Sequence, residues 1–110
     1  MIRDSLSPSS QHAMTIVSAG KGVAMQYRGK SGDVSGNAGI VAGAAPVEVW
    51  LSRTGNSIGG WFVDASGSHS LGSALVPMGA TVYVGLAVTS HDNTKLATAV
   101  FDQFRIDASQ

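Results

Sequence analysis

The two tryptophans of this chain, Trp50 and Trp61, lie at equal distances on either side of the dipeptide Gly55-Asn56. A Gly-Asn pair between stretches of alternating residues is typical of a two-residue β-hairpin turn. If that dipeptide forms the two central residues of the turn, Trp50 pairs with Trp61. Directly opposed residues of an antiparallel pair have their Cβ atoms about 5 Å apart. The spacing therefore predicts two indole rings next to each other on one face of a hairpin.

The same register divides the hairpin into two faces. One face is suited to a core, and its predicted pairs are Val49 with Phe62, Leu51 with Gly60, and Arg53 with Ile58. The other face carries the tryptophan pair between two further pairs, which are Glu48 with Val63 and Ser52 with Gly59. Because Ser52 and Gly59 are small, they leave space beside the rings. We expect the indoles to lie flat and side by side on the water-exposed side of the sheet, as a ledge beside a shallow groove.

An exposed indole pair of this kind is suited to stacking against a sugar ring. An indole face is flat and electron-rich, so the C–H groups of a pyranose can pack against it, and exposed aromatic patches usually mark binding sites. The sugar hydroxyls would need polar partners nearby. The candidate carbohydrate-binding residues are Trp50, Trp61, Glu48, Ser52, Gln26 and Asp64. Alternatively, the rings cover a second apolar layer, or stabilise the hairpin as a cross-strand pair by about 0.5 to 1.5 kcal/mol.

Period-two alternation and regularly spaced turn residues predict an all-β chain. The predicted strands cover residues 1–4, 12–18, 22–28, 47–54, 57–64, 70–75, 81–89 and 96–106. The Gly-, Ala- and Ser-rich stretch over residues 30–46 is predicted to be a mobile loop or the crossing between sheets. Apolar rows on the strands predict one domain, over residues 1–110, built as a two-sheet antiparallel β-sandwich of jelly-roll type. Those rows are Val23, Met25 and Tyr27; Val49 and Leu51; Val82, Val84, Leu86 and Val88; and Ala97, Ala99 and Phe101.

The composition narrows the classes of partner. Seven basic and seven acidic residues cancel, and no run of Lys or Arg is present that could follow a nucleic-acid backbone. The chain has no cysteine, so neither a disulfide framework nor a thiolate metal site is available. The first residues lack the features of a signal peptide, and the longest apolar run is too short to cross a bilayer. We therefore expect no nucleic-acid partner and no membrane partner.

Metal binding has little support in the sequence. No metal-binding spacing connects the three histidines, His12, His69 and His91, and we expect no cofactor. Side-chain oxygens of the sequence His91-Asp92-Asn93, in a predicted turn between the last two strands, could bind Ca²⁺. Turn formation explains the same residues, because their spacing is not that of a calcium loop.

Catalysis has little support either. A retaining glycosidase needs two carboxylates about 5 to 5.5 Å apart, whereas Glu48 and Asp64 are neighbours in the predicted register but alternate to opposite faces. We expect no enzyme activity, with a small hydrolase or a metal-dependent oxidase as a minor alternative. Arg28 and Arg53 are expected to neutralise neighbouring carboxylates or to line a sheet face.

Four stretches of the chain resemble one known family. They are Ile-Arg-Asp-Ser-Leu-Ser-Pro-Ser-Ser-Gln-His-Ala at residues 2–13, Gly-Val-Ala-Met-Gln-Tyr-Arg at 22–28, Arg-Thr-Gly-Asn-Ser-Ile-Gly-Gly-Trp-Phe at 53–62 and Tyr-Val-Gly-Leu-Ala-Val-Thr-Ser-His-Asp-Asn at 83–93. Together they are similar to the concanavalin A-like jelly-roll domains of bacterial secreted carbohydrate-active proteins. The resemblance implies a noncatalytic, secreted or extracellular domain that usually forms part of a larger protein. Many lectin-like members of that fold bind glycans, although a fold alone does not establish a function.

The chain departs from that family in two places. Domains of the family carry further residues before the segment that matches residues 1–4. Either the natural domain begins before Met1, or the sandwich lacks early strands and leaves an open sheet edge able to pair with a second copy. At the hairpin, the family pattern has tryptophan at the position of Glu48, a basic residue at that of Trp50 and tyrosine at that of Trp61. The added aromatic residue favours a specialised binding surface.

These observations favour a noncatalytic carbohydrate-binding module, which would hold a β-glucan such as cellulose, xyloglucan or cello-oligosaccharides against the tryptophans. The alternative is a structural or adhesive β domain that uses the tryptophan face as an interface with a protein partner or with a second copy of itself. Both hypotheses require the two rings to project from the same side of the sheet.

Overall fold

The computed structural model of the protein describes residues 1–18, 20–87, 94, 96 and 98–106. Across these residues the chain forms eight β-strands and no helix. In chain order the strands are β1 (Ile2–Arg3), β2 (His12–Ser18), β3 (Gly22–Arg28), β4 (Gly36–Val41), β5 (Glu48–Thr54), β6 (Ser57–Asp64), β7 (Gly67–Leu75) and β8 (Tyr83–Val84). The described residues accordingly include no helix that is long and apolar enough to span a membrane.

The strands form two sheets that pack face to face. The larger sheet has five strands in the order β4-β3-β2-β1-β8, and the smaller has three in the order β5-β6-β7. Every pairing in both sheets is antiparallel. Between the sheets, β3 and β4 pack against β7, and β2 packs against β5 and β6. This architecture confirms the predicted all-β sandwich, while the jelly-roll connectivity stays a prediction.

The core fills the space between the two sheets. Its fully buried residues are Ala13, Val23 and Met25 from the larger sheet, Ile58, Phe62 and Leu71 from the smaller sheet, and Val76 just after β7. Burial of each large apolar side chain contributes roughly 1.5 to 3 kcal/mol to stability. The sequence also predicts Val49 in this core. In the structure Val49 is 39% exposed, because it lies near the start of the edge strand β5.

Strand β4 lies within the stretch that the sequence predicts to be a loop. That prediction, for residues 30–46, is wrong over Gly36–Val41, which pairs with β3. The glycines that hide the strand pattern also permit its position, because a Cβ atom on Gly39 would overlap the backbone carbonyl of Leu71 in β7. Glycine within a strand often marks such a close approach of two backbones. The small residues of β4 therefore bring the two sheets together at one side of the sandwich.

The last two predicted strands are mostly not formed. Within residues 81–87 only β8 is a strand, and residues 98–106 contain none. Alternating apolar residues do not suffice for a strand, because the backbone also needs a paired edge, and β8 is the last strand of its sheet. The predicted core rows fail here, since their members Val84, Leu86, Ala99 and Phe101 are exposed. Val88 and Ala97 lie outside the described residues.

Two arginines attach loops to the sheets through backbone carbonyls. The Arg53 guanidinium donates three hydrogen bonds of 2.7 to 2.8 Å, to the carbonyl oxygens of Gly55, Met78 and Gly79. The Arg28 guanidinium donates three of 2.7 to 3.2 Å, to those of Pro8, Ser10 and Asp33. Among the described residues no ion pair joins Arg28 or Arg53 to a carboxylate, so of the two predicted roles the structure does not support charge neutralisation for either arginine.

Candidate functional site

The tryptophan hairpin folds in the register that the sequence predicts. All six predicted pairs between β5 and β6 are formed, including Trp50 with Trp61. Gly55 takes a φ of 60°, as glycine does at the first central position of a type II′ turn. The predicted core side of the hairpin is confirmed by Ile58 and Phe62, which are fully buried. Because strand residues alternate between faces, both tryptophans project from the opposite, outer face of the smaller sheet.

The two indoles stack on each other and do not lie flat beside each other. Their planes are within 6° of parallel and their centroids are 5.5 Å apart, close to the separation of about 4.8 Å between neighbouring strands. The rings therefore meet face to face with an offset, an arrangement that aromatic quadrupoles favour. Both residues are partly buried. The prediction of a flat, water-exposed ledge is therefore wrong, although both rings do project from one face.

Trp50 is held in place through its backbone as well as through its ring. Its carbonyl oxygen accepts a hydrogen bond of 3.0 Å from Thr15 Oγ1 in β2, which ties the edge strand β5 to the larger sheet. Its indole Nε1 is buried and has no hydrogen-bond partner, which costs about 1 to 3 kcal/mol. A buried nitrogen cannot bond a ligand, so the contribution of Trp50 to the site is to support Trp61.

A shallow depression of about 320 Å³ lies beside Trp61 on the outer face. Its lining residues are Gly59, Gly60, Trp61, Ser68, Ser70 and Gly72, and Trp50 is not among them. Gly59 keeps this space open on the outer face of β6, where an added Cβ atom would meet only the Gly72 carbonyl oxygen, at 3.9 Å, so a larger side chain there would occupy it. The depression therefore has one aromatic wall, and two serines that supply hydroxyl groups.

The two serines of this depression are absent from the site that the sequence predicts. Ser70 pairs with Trp61, and Ser68 pairs with Val63. The predicted strand begins only at Ser70, whereas β7 begins at Gly67. A register shift between Gly59 and Trp61 also displaces the pairing. If the predicted strand is extended back to the turn at Ala65 and Ser66, the register places Ser70 opposite Trp61.

The outer face of the smaller sheet is almost uncharged. By alternation its members in β5, β6 and β7 are Glu48, Trp50, Ser52, Thr54, Ser57, Gly59, Trp61, Val63, Ser68, Ser70, Ser73 and Leu75. Glu48 is the only ionisable residue in this set. It lies in the same cross-strand row as Val63 and Ser68, so the charge on this face of the three strands is two strands away from Ser68.

The structure brings together four of the six predicted carbohydrate-binding residues. Glu48 and Ser52 are exposed on the same face as Trp50 and Trp61. Asp64 is an odd number of residues from Trp61 on the same strand, so it projects from the inner face. Gln26 belongs to β3 of the larger sheet and, next to the buried Met25, projects away from the smaller sheet. The structure therefore separates Asp64 and Gln26 from the tryptophan pair.

Asp64 forms a polar cluster at the turn between β6 and β7. Its Oδ1 accepts hydrogen bonds from Ser66 Oγ at 2.7 Å and from the Ser66 backbone N–H at 2.9 Å, and it lies 3.0 Å from His69 Nε2. These bonds, that of the Ser66 hydroxyl first, lower the pKa of Asp64 to about 2. The His69 ring also stacks on Phe62, with centroids 4.7 Å apart. The cluster thus anchors the turn to the core.

The three side chains of this cluster do not form a catalytic triad. In a triad the serine and the carboxylate bond different nitrogens of the histidine. Here Ser66 Oγ, at 2.9 Å, and Asp64 both contact Nε2 of His69. The serine hydroxyl also bonds the carboxylate directly. This geometry stabilises a turn and provides no activated nucleophile.

A second histidine, His12, has a buried side chain. It is 5% exposed, and its Nε2 is buried without a hydrogen-bond partner. Burial lowers the pKa of its imidazole. No group of three or more His, Cys, Asp or Glu side chains that could hold a metal ion occurs in the described part of the chain. The predicted calcium turn at His91, Asp92 and Asn93 lies outside the described residues.

The site as a whole can stack against a ligand ring and can form hydrogen bonds with a ligand. Trp61 supplies an aromatic face, Ser68 and Ser70 supply hydroxyls, and Glu48 supplies a carboxylate nearby. No protein-family model, curated protein or solved structure matches the chain, so the resemblance to concanavalin A-like domains stays an expectation from the sequence.

Proposed function

We propose that this protein is a noncatalytic carbohydrate-binding module for β-glucan, acting as part of a secreted or extracellular protein. The observation that carries the proposal is the depression beside Trp61, where an aromatic face and serine hydroxyls adjoin on an exposed sheet. Its role would be to hold polysaccharide close to a linked or neighbouring hydrolase. Cellulose, xyloglucan and cello-oligosaccharides are the ligands to test.

The chemistry of a β-glucan suits these side chains. In a β-linked glucose ring the hydroxyls are equatorial and the axial C–H groups form an apolar face, which can pack on indole. The equatorial hydroxyls point outward from the ring edge, where serine hydroxyls can both donate and accept. Ser68 and Ser70 are exposed beside the aromatic face. The site thus offers an apolar wall and a polar rim to one sugar ring.

The noncatalytic part of the proposal rests on the placement of the carboxylates. A glycosidase needs two carboxyl groups on one groove. Glu48 lies on the outer face of the smaller sheet, whereas Asp64 lies on the inner face and is engaged by Ser66 and His69. The depression itself has no carboxylate among its lining residues.

Replacement of Trp61 tests the proposal. Trp61→Ala removes the aromatic wall, and we expect it to abolish retardation of the protein in a native gel that contains soluble xyloglucan or hydroxyethylcellulose. Tyr83→Ala is the matched control, since it removes an exposed aromatic residue from the other sheet. Unchanged retardation of a folded Trp61→Ala protein would reject the proposal.

The alternative is a structural or adhesive domain that associates with a protein or with a second copy. The observation in its favour is the outer edge of β8, which no strand among the described residues pairs, and where Tyr83, Val84 and Leu86 are 51%, 41% and 50% exposed. An unpaired strand with apolar side chains is a template for pairing with another chain. Sedimentation of the protein over a range of concentrations tests this: a dimer that Val84→Lys disrupts would support it, and a monomer throughout would reject the homodimer.

A further inference from the structure

The two tryptophans do not offer a ligand equivalent surfaces. In a stack of two parallel rings the covered faces are turned toward each other, so the two free faces point in opposite directions. The ring planes of Trp50 and Trp61 are within 6° of parallel. No single flat ligand can therefore rest on both indoles at once. This geometry excludes the flat tandem platform on which an extended polysaccharide surface could lie.

The free face of Trp61 is the one beside the depression. Trp50 stacks on Trp61 from β5, and Ser70 is the neighbour of Trp61 on the other side, in β7. The depression lies on that second side, since it is lined by Ser68 and Ser70 and not by Trp50. One indole face and two hydroxyls thus converge on a single space.

The size of this space limits the number of sugar rings that it can contact. Its volume of about 320 Å³ is at the lower end of the range of about 300 to 1,000 Å³ that small-molecule sites occupy. Along β7 it extends from Ser68 to Gly72, which at about 3.3 Å per residue is roughly 13 Å. A short run of sugar rings can therefore contact it, and further rings of a longer chain would lie beyond its ends.

The charge on the outer face of the smaller sheet favours a neutral ligand over an acidic one. Glu48 is the only ionisable residue on the outer face of β5, β6 and β7, and it is two strands from Ser68 in the same row, which is about 10 Å. At low ionic strength a carboxylate at that distance still repels an anion. Within these strands no Lys or Arg on that face could bind an acidic sugar.

From these observations we infer that the site binds a short, neutral segment of a soluble glucan, with one pyranose ring stacked on the free face of Trp61 and its hydroxyls bonded by Ser68 and Ser70. The inference rests on the proposed function and narrows it. Trp50 is a positioning residue that keeps Trp61 upright through the stack. Ser70 Oγ already accepts a bond of 3.2 Å from the Gly72 N–H, so its proton remains to be donated to a sugar hydroxyl.

Calorimetric titration with cello-oligosaccharides of increasing length tests the inferred size. We expect the affinity to rise from cellobiose to cellotriose and then to stay constant through cellohexaose, and we expect no retention on crystalline cellulose. An affinity that rises with every added glucose, or retention on crystalline cellulose, would overturn the inference and leave the proposed function standing. If the folded protein binds no glucan at all, both the inference and the proposed function are rejected.

Two serine substitutions on one strand test the contacts. Ser68→Ala removes a hydroxyl of the depression, and we expect about a fivefold loss of affinity for cellotriose, as for one neutral hydrogen bond. Ser73→Ala is the matched control, because Ser73 is exposed on the same face of β7 but does not line the depression. Equal effects of the two substitutions would overturn the assignment of Ser68.

Two cellulose derivatives with the same backbone test the charge preference. We expect the protein to bind hydroxyethylcellulose more tightly than carboxymethylcellulose at low salt. Glu48→Gln is expected to reduce this difference by strengthening the binding of the carboxylated polymer, since it removes the negative charge from the outer face. Tighter binding of the carboxylated polymer by the unaltered protein would overturn the inferred preference for a neutral ligand.

Discussion

Replacement of Trp50 and Trp61 by alanine, singly and together, measures the free energy that the indole stack contributes to folding. Each single substitution removes the stack together with the other contacts of that ring. In a double-mutant cycle the separate contributions cancel, and the remainder is the coupling between the two rings. The stack lies on the outer face, so the core between the sheets remains intact in all four proteins.

The geometry of the pair sets the expected coupling. Parallel rings with centroids 5.5 Å apart fall within the range of about 4.5 to 7 Å in which aromatic pairs contribute about 0.5 to 1.5 kcal/mol beyond the area that they bury. We therefore expect a coupling free energy of about 1 kcal/mol. Against a total stability of about 5 to 15 kcal/mol for a domain, both single variants should still fold.

Urea unfolding followed by far-ultraviolet circular dichroism gives the four free energies of unfolding without relying on tryptophan fluorescence. The same spectra carry an independent readout, since stacked indoles produce an exciton couplet that either single substitution should remove. A second cycle between Trp61 and Tyr83, which lie on different sheets, is the control and should be additive within about 0.5 kcal/mol. A Trp50–Trp61 coupling no larger than that control, with no couplet, would refute the stack and the inference drawn from it.

Three further predictions concern stability. Phe62→Ala should lower the free energy of unfolding by about 3 to 5 kcal/mol, because its ring is fully buried. Phe104→Ala should change it by no more than about 0.5 kcal/mol, because that ring is 53% exposed. Equal losses in urea titrations would contradict the exposed position of residues 98–106. Because hydrogen bonds depress the pKa of Asp64 from 3.8 to about 2, its stabilising contribution is complete above the unfolded-state pKa and is lost as the pH falls toward 2. Asp64→Asn should therefore flatten the acid branch of a plot of unfolding free energy against pH, and an unchanged acid branch would contradict this. Arg53→Met should destabilise the protein by about 1.5 to 3 kcal/mol in thermal or urea unfolding, because three backbone carbonyls lose a charged donor; a loss below about 0.5 kcal/mol would count against those bonds.

The tryptophan hairpin could be predicted residue by residue because its determinants are local. Gly55 permits the positive φ of a tight turn, and the turn then sets every later pair in order. Alternation assigns Ile58 and Phe62 to the buried side in the same way. The partnership of Trp50 and Trp61, and the face from which they project, follow from these facts without knowledge of the rest of the chain.

Other parts of the candidate site were missed or misplaced by the sequence for two different reasons. The turn between β6 and β7 already pairs Ser68 with Val63 and Ser70 with Trp61, and these serines were missed because the predicted strand begins only at Ser70. Gln26 is as suitable as these serines in chemical type, yet it belongs to the other sheet. Sequence spacing does not contain the assignment of a strand to one sheet or the other.

The sequence by itself determined the all-β class, the hairpin register and the single face of the tryptophans, because turn geometry and alternation act over a few residues. Only the tertiary structure decided that the indoles stack, that β4 forms from a glycine-rich stretch and that residues 98–106 form no strand. Each of these depends on a neighbour. The stack needs a ring on the adjacent strand, β4 needs the Leu71 backbone against Gly39, and residues 98–106 need a paired edge for their backbone. The Leu71 backbone and a paired edge come from distant parts of the chain, and local backbone preference does not specify them. The stack depends on the side-chain rotamers of two residues in one hairpin, which alternation leaves open.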